Sequence, residues 1–341
     1  MRRPVAIFLV INLAVVLFLI YSVWTLLELL VITGIEDAIT RAELPAIGAE
    51  DKITAKPLIP KIIHQTYINT SIPEVWQDAQ ASCKELHHKS DGWEYKLWTD
   101  KMSVEFIADE YPEFLETFKG YRYPIQRADA IRYFVLDRFG GIYIDLDDGC
   151  NRPLEPLLSY PSFVRKTVPT GVSNDAMGAV PGHPFFKRVI QELQRYDRSW
   201  ILPYITVMAS TGPLFLSVIW RHYSDEGFNV GNGADGGRIR IIFPEEYNSH
   251  PWSFFTHHLG NSWHGYDVQL IFWMARNWVL LTVIGFVVGI GAILLGWWSY
   301  HRYFLAPTDI PQWKKKSVRD RLAFWSNRHQ SEYELVNRHE P

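Results

Sequence analysis

The sequence predicts an α/β domain, a sandwich of helices around a mostly parallel sheet, placed between two apolar segments. Three observations lead to this prediction. Segments of helical and strand character alternate through the middle of the 341-residue chain, as in sheets that helices cover on both faces. An apolar strand ends in a run of acidic residues, and ligands bind beyond the carboxyl ends of strands in such sheets. Apolar runs long enough to cross a membrane lie on either side.

The first apolar run covers Val5 to Leu30. About twenty apolar residues suffice to cross a hydrocarbon core of roughly 30 Å, so residues 1–32 are predicted to be a cytosolic N-terminus and a first transmembrane helix. A cleaved signal peptide is the alternative, because Arg2 and Arg3 precede the run. The run is longer than a signal core and ends without a small-residue cleavage site, which favours a signal anchor.

A stem and a folded unit are predicted to follow. Residues 33–56 are polar and short of aromatic side chains, which is typical of a stem. Residues 57–265 form the predicted folded unit. Its predicted elements are a strand at Ile59–Gln65, a helix at Pro73–Leu86, a strand at Trp93–Trp98, helices at Asp100–Glu110 and Pro124–Phe139, a strand at Ile142–Ile144, helices at Pro184–Arg195 and Thr211–Trp220, and a strand at Ile239–Phe243.

Two aspartates directly after the Ile142–Ile144 strand form the candidate metal site. Asp145 and Asp147 stand two residues apart, so their carboxylates point the same way on an extended strand. Oxygen ligands of this kind suit Mg²⁺ or Mn²⁺, which would neutralise a leaving diphosphate. An Asp-x-Asp triplet alone is a weak signal, but an apolar strand delivers this one after Gly140 and Gly141. A glycosidase would instead need its carboxylates on two sides of a sugar, about 5 to 10 Å apart.

Asp129 and Arg132 lie three residues apart on the predicted Pro124–Phe139 helix and therefore share a face. One interpretation is a salt bridge along the helix. The other is that Asp129 accepts hydrogen bonds from sugar hydroxyls while the guanidinium of Arg132 contacts donor oxygens. The helix leads directly into the acidic strand, which favours the second interpretation.

The second apolar run, Trp278 to Trp298, carries no charged residue and is also long enough to span a membrane. Residues 266–299 are therefore predicted to be an interfacial segment and a second transmembrane helix. Residues 300–341 are predicted to be a cytosolic basic tail, because lysines and arginines flanking a span stay on the cytosolic side. Both termini are then cytosolic, and residues 33–277 are lumenal.

Charge and cysteine content exclude several classes of protein. A formal net charge of −3 gives no reason to expect nucleic acid as a partner. The two cysteines, Cys83 and Cys150, are too few for a disulfide scaffold or a cysteine zinc site, and the sequence leaves open whether they pair. Asn69-Thr70-Ser71 is a glycosylation sequon on the predicted lumenal side.

Three segments in combination resemble the family-32 glycosyltransferases, which contain a DXD sugar-binding region. They are Ile59-Pro60-Lys61-Ile62-Ile63-His64-Gln65, Arg127-Ala128-Asp129-Ala130-Ile131-Arg132 and Gly140-Gly141-Ile142-Tyr143-Ile144-Asp145-Leu146-Asp147. The resemblance covers roughly residues 57–265. It implies a GT-A-like nucleotide-sugar-binding sandwich, a divalent ion, and transfer with retention of anomeric configuration.

The resemblance also implies roles for individual residues on the donor side. Asp145 and Asp147 match the pair that binds the metal and the diphosphate. Asp129 and Arg132 match contacts to the donor sugar, and these four residues form the candidate catalytic set.

The nucleotide and the closing segment add further candidates by the same resemblance. His64 and Gln65 fall where the first strand of such folds meets the nucleotide. Ser262 and Trp263 are similar to the family's closing segment, in which a tryptophan contacts the diphosphate and a residue shortly before it completes the metal shell. We favour His258 as that ligand, although the adjacent histidine is a reasonable one too. Asn174-Asp175 and Thr211-Gly212-Pro213 are similar to positions that line the acceptor side.

Within the family, the acidic sequence Asp145–Cys150 and the two flanking apolar runs resemble fungal enzymes that transfer mannose from GDP-mannose to inositol phosphorylceramide. This implies a multi-pass Golgi membrane protein of sphingolipid biosynthesis with a membrane lipid as acceptor. It leaves open whether a regulatory membrane subunit is needed. The second run begins about fifteen residues after Trp263, which would hold the closing segment at the bilayer surface and favours a lipid acceptor.

Two alternatives remain at this point. A Golgi mannosyltransferase acting on protein-linked glycans would use the same donor site. A non-catalytic membrane scaffold would keep the fold, but the presence of Asp145, Asp147, Asp129 and Arg132 argues against an inert protein.

Overall fold

The computed structural model describes residues 3–46, 48–49, 56–167, 170–227, 237–244, 250, 252–258 and 265–302. The chain divides into two compact units, Met1–Gln269 and Leu270–Pro341. The strands are β1 (Ile62–Tyr67), β2 (Glu94–Thr99), β3 (Gly141–Ile144), β4 (Asp148–Cys150), β5 (Ser162–Lys166), β6 (Val172–Ala179), β7 (Arg240–Ile242) and β8 (Phe255–His257). The helices are α1 (Arg3–Ser22), α2 (Trp24–Val31), α3 (Glu74–Leu86), α4 (Asp100–Glu110), α5 (Leu115–Gly120), α6 (Pro124–Phe139), α7 (Pro184–Tyr196), α8 (Pro203–Ser210), α9 (Pro213–Asp225), α10 (Tyr266–Arg276) and α11 (Trp278–Tyr300).

A mixed sheet forms the centre of the first unit. In the described residues it has six strands in the order β2-β1-β3-β6-β5-β7, while β4 pairs with β8 in a separate two-stranded sheet. Strand β1 pairs in parallel with β2 and β3, β5 pairs in parallel with β7, and β6 is antiparallel to both of its neighbours. Every strand of the larger sheet except β6 therefore runs in one direction. The predicted α/β class is confirmed.

Apolar cores lie on both faces of this sheet, and the side chains of β3 divide between them. Tyr143 belongs to the core formed with α6, α7 and α9. Ile142 and Ile144 belong to the core that includes Cys83 of α3 and Phe255 of β8. This alternation is the two-residue period of a strand that is buried on both sides.

Two glycines let the chain pass directly from α6 into β3. The Gly140 N–H donates to the Leu136 carbonyl at 3.0 Å, which closes the helix. Both Gly140 and Gly141 have positive φ angles, 64° and 91°. A Cβ at Gly141 would lie 2.6 Å from the Ile62 carbonyl oxygen, so a larger residue would be strained there. The predicted helix end at these glycines is thereby explained.

The first apolar run differs from the single helix predicted over Val5–Leu30. It forms two helices, α1 and α2, which are separated at Val23 and bent by 55°. Helix α2 packs against α9 of the folded unit: Leu29 is buried, and Glu28 forms an ion pair with Arg221 at 3.4 Å. The remaining α1 has 20 residues and is about 30 Å long, so it can still cross a bilayer.

Part of the segment predicted as a stem is packed against the folded unit. Ala38 forms a parallel β-bridge with Ile241 of β7, and Ile39 is buried in the core. Arg240 donates to the Ala38 carbonyl at 2.6 Å and forms an ion pair with Glu43 at 2.7 Å. The polar composition of this segment predicted an unpacked linker. Its contacts with Arg240 could not be predicted, because Arg240 lies about 200 residues further along the chain.

The described part of the second unit contains most of α10 and the whole of α11. The run predicted over Trp278–Trp298 is helical from Trp278 to Tyr300, and none of those residues is buried. Helices α8 and α9 together are also apolar enough to qualify as a span, but 61% of that stretch is buried inside the first unit. Helices α1 and α11 are therefore the two candidates for membrane association among the described residues.

Candidate active site

A cavity of about 560 Å³ opens beyond the carboxyl ends of β1 and β3. The predicted acidic residues contribute part of its wall, as the sheet topology suggests. The cavity is lined by Thr66, Tyr67, Ile68, Trp76, Asp100, Ser103, Tyr123, Pro124, Ile125, Arg127, Ala128, Arg132, Asp145, Leu146, Asp147, Pro203, Tyr204 and Val207.

Asp145 lies at the end of β3 with its carboxylate held by two donors. Arg132 Nη1 donates to Oδ2 at 3.2 Å, and the Tyr143 hydroxyl donates to Oδ1 at 2.8 Å. Burial nevertheless raises the pKa of Asp145; the guanidinium opposes this shift and the neighbouring Asp147 adds to it. A cation next to this carboxylate would favour its ionised form.

Asp147 and Asp148 differ in how their charge is balanced. Burial, followed by the charge of Asp148, raises the pKa of Asp147. Burial also acts on Asp148, but Arg165 Nη1 at 2.5 Å and His257 Nδ1 at 3.1 Å hold the pKa of its carboxyl below the usual value. The hydrogen bond to Asp148 in turn raises the pKa of His257 to about 9. Asp148 is thus compensated within the protein, whereas burial leaves the ionised forms of Asp145 and Asp147 unfavourable.

The carboxylates of Asp147 and Asp148 and the imidazole of His257 offer ligand atoms within 4.8 Å of one another. The pairing of β4 with β8 sets Asp148 opposite His257. His258, which we favoured as the third ligand, donates its backbone N–H to the Asp147 carbonyl at 2.7 Å. The described structure places the other histidine of the pair, His257, in the acidic cluster, and ligation by His258 stays a prediction. Carboxylates with a neutral imidazole are a suitable donor set for a divalent cation, so binding of a cation by His257 would require release of the proton that Asp148 holds on this ring.

Arg132 and Asp129 form the salt bridge of the first interpretation, but inside the protein. Arg132 Nη2 lies 2.9 Å from Asp129 Oδ1, and the two side chains are 3% and 7% exposed. Asp129 also accepts from Asn174 Nδ2 at 3.1 Å and from the Thr211 hydroxyl at 3.2 Å. Arg132 lines the cavity, whereas Asp129 stands behind it among the described residues. Here Asp129 positions the guanidinium; a contact with the sugar stays a prediction.

His64 and Gln65 are buried and do not line the cavity among the described residues, so their contact with a nucleotide stays a prediction. Trp98 Nε1 donates to His64 Nδ1 at 3.0 Å, so His64 Nε2 carries the proton and donates to the Gly140 carbonyl at 2.9 Å. Gln65 accepts from the Tyr95 hydroxyl at 2.7 Å. The strand turns their side chains inward, and the residues that follow them, Thr66 to Ile68, reach the cavity.

The buried His64 should make the protein less stable in acid. Burial lowers the pKa of His64 to about 4, from 6.5. Between these values the unfolded chain takes up a proton that the folded protein refuses, so stability falls as pH falls. By pH 5 the loss is about 2 kcal/mol. The free energy of unfolding, measured by urea titration, should change less between pH 7 and pH 5 in His64→Gln than in the unmodified protein. In the exposed control His88→Gln it should change as much as in the unmodified protein. Equal pH dependence in all three proteins would contradict this assignment.

Comparison with known proteins identifies the family. The sequence profile described as a glycosyltransferase sugar-binding region containing a DXD motif matches residues 73–164. Mannosyl phosphorylinositol ceramide synthase CSH1 of Saccharomyces cerevisiae is 45% identical over 306 residues, which cover 89% of this chain and 79% of that protein. The chain belongs to the mannosyl phosphorylinositol ceramide synthase family of glycosyltransferases.

A further relative agrees with this family. Inositol phosphoceramide mannosyltransferase 2 of Schizosaccharomyces pombe is 49% identical over 234 residues, or 69% of this chain and 66% of that protein. Among solved structures, the PaToxG glycosyltransferase is similar over 53% of this chain and 75% of its own, with 18% identity and a TM-score of 0.37.

Two further predictions concern the closing segment and the two cysteines. Ser262 and Trp263, assigned to the closing segment, lie outside the described residues. The cysteines whose pairing was left open are joined: Cys83 of α3 forms a disulfide with Cys150 of β4. This bond fastens the strand that begins with Asp148 to a helix on the neighbouring face, and thereby steadies the acidic cluster.

Sequence reasoning missed several aromatic residues of the cavity. Tyr67 and Trp76 meet edge to face with ring centroids 5.8 Å apart, and Tyr123 and Tyr204 line the same cavity. These residues come from four separate segments, so no local spacing relates them. The signal that could have found Tyr67 is its place at the carboxyl end of an apolar strand.

Proposed function

We propose that this chain transfers mannose from GDP-mannose to the inositol head group of inositol phosphorylceramide, with a divalent cation, Mn²⁺ or Mg²⁺, in the donor site. One observation carries the proposal: Asp145 and Asp147 have raised pKa values and line one cavity with the guanidinium of Arg132. The names of the relatives that cover most of the chain support mannose as the transferred sugar and inositol phosphorylceramide as the acceptor, and GDP-mannose as the donor is part of the proposal.

The residues of this site have separate tasks. Asp147 and Asp145 would hold the ion, which would supply the positive charge that a leaving diphosphate requires. Arg132 is fixed by Asp129 and by the Asn174 carbonyl, to which its Nη1 donates at 2.6 Å. Its Nε donates to the Ala128 carbonyl and Nη1 also donates to Asp145, so among the contacts described one N–H of Nη2 remains that can meet a donor oxygen without a loss of side-chain freedom at the moment of reaction. We also propose that the domain is GT-A-like, which the reversed strand β6 within an otherwise codirectional sheet supports.

The second part of the proposal is the location. We place the protein in Golgi membranes with α1 and α11 spanning the bilayer, both termini cytosolic and the folded unit in the lumen. The apolar, exposed surface of α11 and the disulfide support this arrangement, because disulfides persist in oxidising compartments. A lipid acceptor is then available in the membrane that anchors the enzyme.

The test uses the purified full-length chain in lipid vesicles. GDP-mannose, GDP-glucose and UDP-glucose are offered in turn with inositol phosphorylceramide or an oligomannose glycan, and products are identified by mass. We expect a mannosyl lipid from GDP-mannose with Mn²⁺ and none in excess chelator. Mannosylated glycan without mannosyl lipid would favour the alternative Golgi transferase. Activity of the chain alone would show that a regulatory membrane subunit is dispensable.

The sequon tests the orientation independently. Asn69 is exposed, and its side chain accepts only a local hydrogen bond from the Ser71 N–H at 2.8 Å among the contacts described, so an oligosaccharyltransferase can reach it. We expect one glycan on the expressed protein, removable by endoglycosidase and missing in Ser71→Ala. In sealed vesicles, external protease should trim only the tail after residue 300. Digestion of the folded unit in sealed vesicles would reverse the proposed topology.

A further inference from the structure

A short loop before α8 exposes apolar side chains at the edge of the cavity. Ile201 is 98% exposed and Trp200 is 52% exposed. Two residues later the chain enters the cavity wall, with Pro203, Tyr204 and Val207 among the lining residues. An almost completely exposed isoleucine next to a tryptophan contributes no burial of apolar surface to the stability of the fold. Exposed apolar residues grouped at one place are typical of a site of interaction.

The loop is held in place by internal hydrogen bonds. The hydroxyl of Thr206, a buried residue of α8, accepts from the Trp200 N–H at 2.9 Å. The same hydroxyl lies within 3.2 Å of the Trp200 and Leu202 carbonyls, to which it can donate. The exposed side chains therefore stand on a backbone that is fixed relative to the cavity wall, so ordering them at a partner costs little conformational entropy.

A second contact ties the loop to the segment that leads to the apolar helix α11. The Tyr204 N–H donates to Asp267 Oδ2 at 2.6 Å, and Asp267 is itself buried. Helix α10 continues from Tyr266 to Arg276, and α11 begins at Trp278. At 1.5 Å per residue, the path along the chain from Asp267 to Trp278 is about 16 Å. Through Asp267, the loop is thus connected by a short stretch of chain to the helix that is proposed to enter the bilayer.

We propose that Trp200 and Ile201 insert into the interfacial region of the bilayer beside the cavity and present the cavity to the head group of a membrane lipid. This inference rests on the proposed function for the identity of that lipid. Trp favours the membrane interface, and an aliphatic neighbour buries its surface among acyl chains. The bilayer is the occupant that the chain connection from Asp267 to α11 brings within reach; a second copy of the chain is the competing one.

A probe on the loop tests the insertion without any substrate. Ile201→Cys in the full-length protein provides one reactive thiol, since Cys83 and Cys150 are joined. The matched control is Leu58→Cys: Leu58 is 47% exposed and precedes β1, whose carboxyl end carries the cavity. In vesicles, an environment-sensitive dye at 201 should emit at shorter wavelength and be quenched by lipids brominated in their acyl chains. The dye at 58 should show neither effect.

Two results of the probe experiment would overturn the proposal. One is the absence of bromolipid quenching at position 201. The other is a blue shift at position 201 that grows with the protein-to-lipid ratio and is not accompanied by quenching from the brominated lipid. That result would assign the loop to contact between copies of the chain.

Activity of conservative variants then tests the consequence for the acceptor. Ile201 is almost fully exposed, so its replacement should leave folding intact. We expect Ile201→Ser to reduce transfer to acceptor in vesicles about tenfold, the factor that 1.4 kcal/mol represents, and Ile201→Leu to retain it. Hydrolysis of the donor by water should not change in either variant. Equal transfer by the Ser and Leu variants would overturn the role in presentation. If the unmodified protein makes no mannosyl lipid, the proposed function fails, while the probe still decides insertion.

Discussion

Asp147→Asn should reduce mannosyl transfer by about a thousandfold or more, because it removes one of the carboxylates available to the cation that balances the leaving diphosphate. The folded protein should tolerate the change. Burial and the adjacent Asp148 raise the pKa of Asp147, so its ionised form is less favourable in the folded protein than in the unfolded chain at neutral pH. Thermal unfolding of the variant should therefore occur at the same temperature as that of the unmodified protein, or above it.

The matched control for this variant is Asp109→Asn, an exposed aspartate on α4 that is outside the cavity wall. It should keep full activity. Excess chelator should bring the unmodified protein to the activity of Asp147→Asn, and added Mn²⁺ should restore it. Transfer that continues in chelator, or an Asp147→Asn protein with normal rates, would remove the assignment of this cluster to a metal.

Arg165→Met should destabilise the protein by about 3 to 5 kcal/mol. Arg165 of β5 is 3% exposed, and its Nη1 lies 2.5 Å from Asp148 and 3.3 Å from Asp175. Removing the guanidinium leaves Asp148, which is fully buried, with a negative charge that His257 alone offsets among the described residues. Desolvation of that charge, rather than the lost attraction, accounts for most of the expected effect.

The double variant Arg165→Met with Asp148→Asn provides the control. It removes the uncompensated carboxylate together with its partner, so it should be more stable than Arg165→Met alone. Urea-induced unfolding of the solubilised protein measures both differences. If the double variant is as unstable as the single one, packing of the Arg165 side chain against Phe255, 5.5 Å from the ring centre, is the dominant contribution instead of charge.

Local signals in the sequence were sufficient for the central part of the fold. The helix around Asp129 and Arg132, the glycines at 140 and 141, and the apolar strand before Asp145 all have signals within a few residues of one another. Together they predicted that acidic residues lie at the end of β3 and that Arg132 belongs to the same site. Alternation of strand and helix was likewise sufficient to predict the class of the domain.

What the sequence left out depends on contacts between distant residues. Strand β4 has three residues, and its pairing with β8 crosses more than a hundred positions, so the approach of His257 to Asp148 had no local signature. The break at Val23 occurs without proline or glycine and accompanies the packing of α2 on α9, which apolar composition cannot distinguish from insertion into lipid. The burial of the His64 side chain could not be predicted either, because strand alternation does not distinguish an inward from an outward side chain when both faces of a sheet are buried.

The docking of α2 on α9 changes how this enzyme would meet its acceptor. A domain on a flexible stem explores a hemisphere of solvent, and only a fraction of its orientations face the membrane. Here the Glu28 and Arg221 pair and the buried Leu29 fix the end of the apolar segment to the catalytic unit. With α1 in the bilayer as proposed, the search for a lipid becomes diffusion in two dimensions. Turnover should then follow the mole fraction of acceptor in the membrane rather than its amount per volume of suspension, and dilution of vesicles at constant lipid composition should leave the rate per enzyme unchanged.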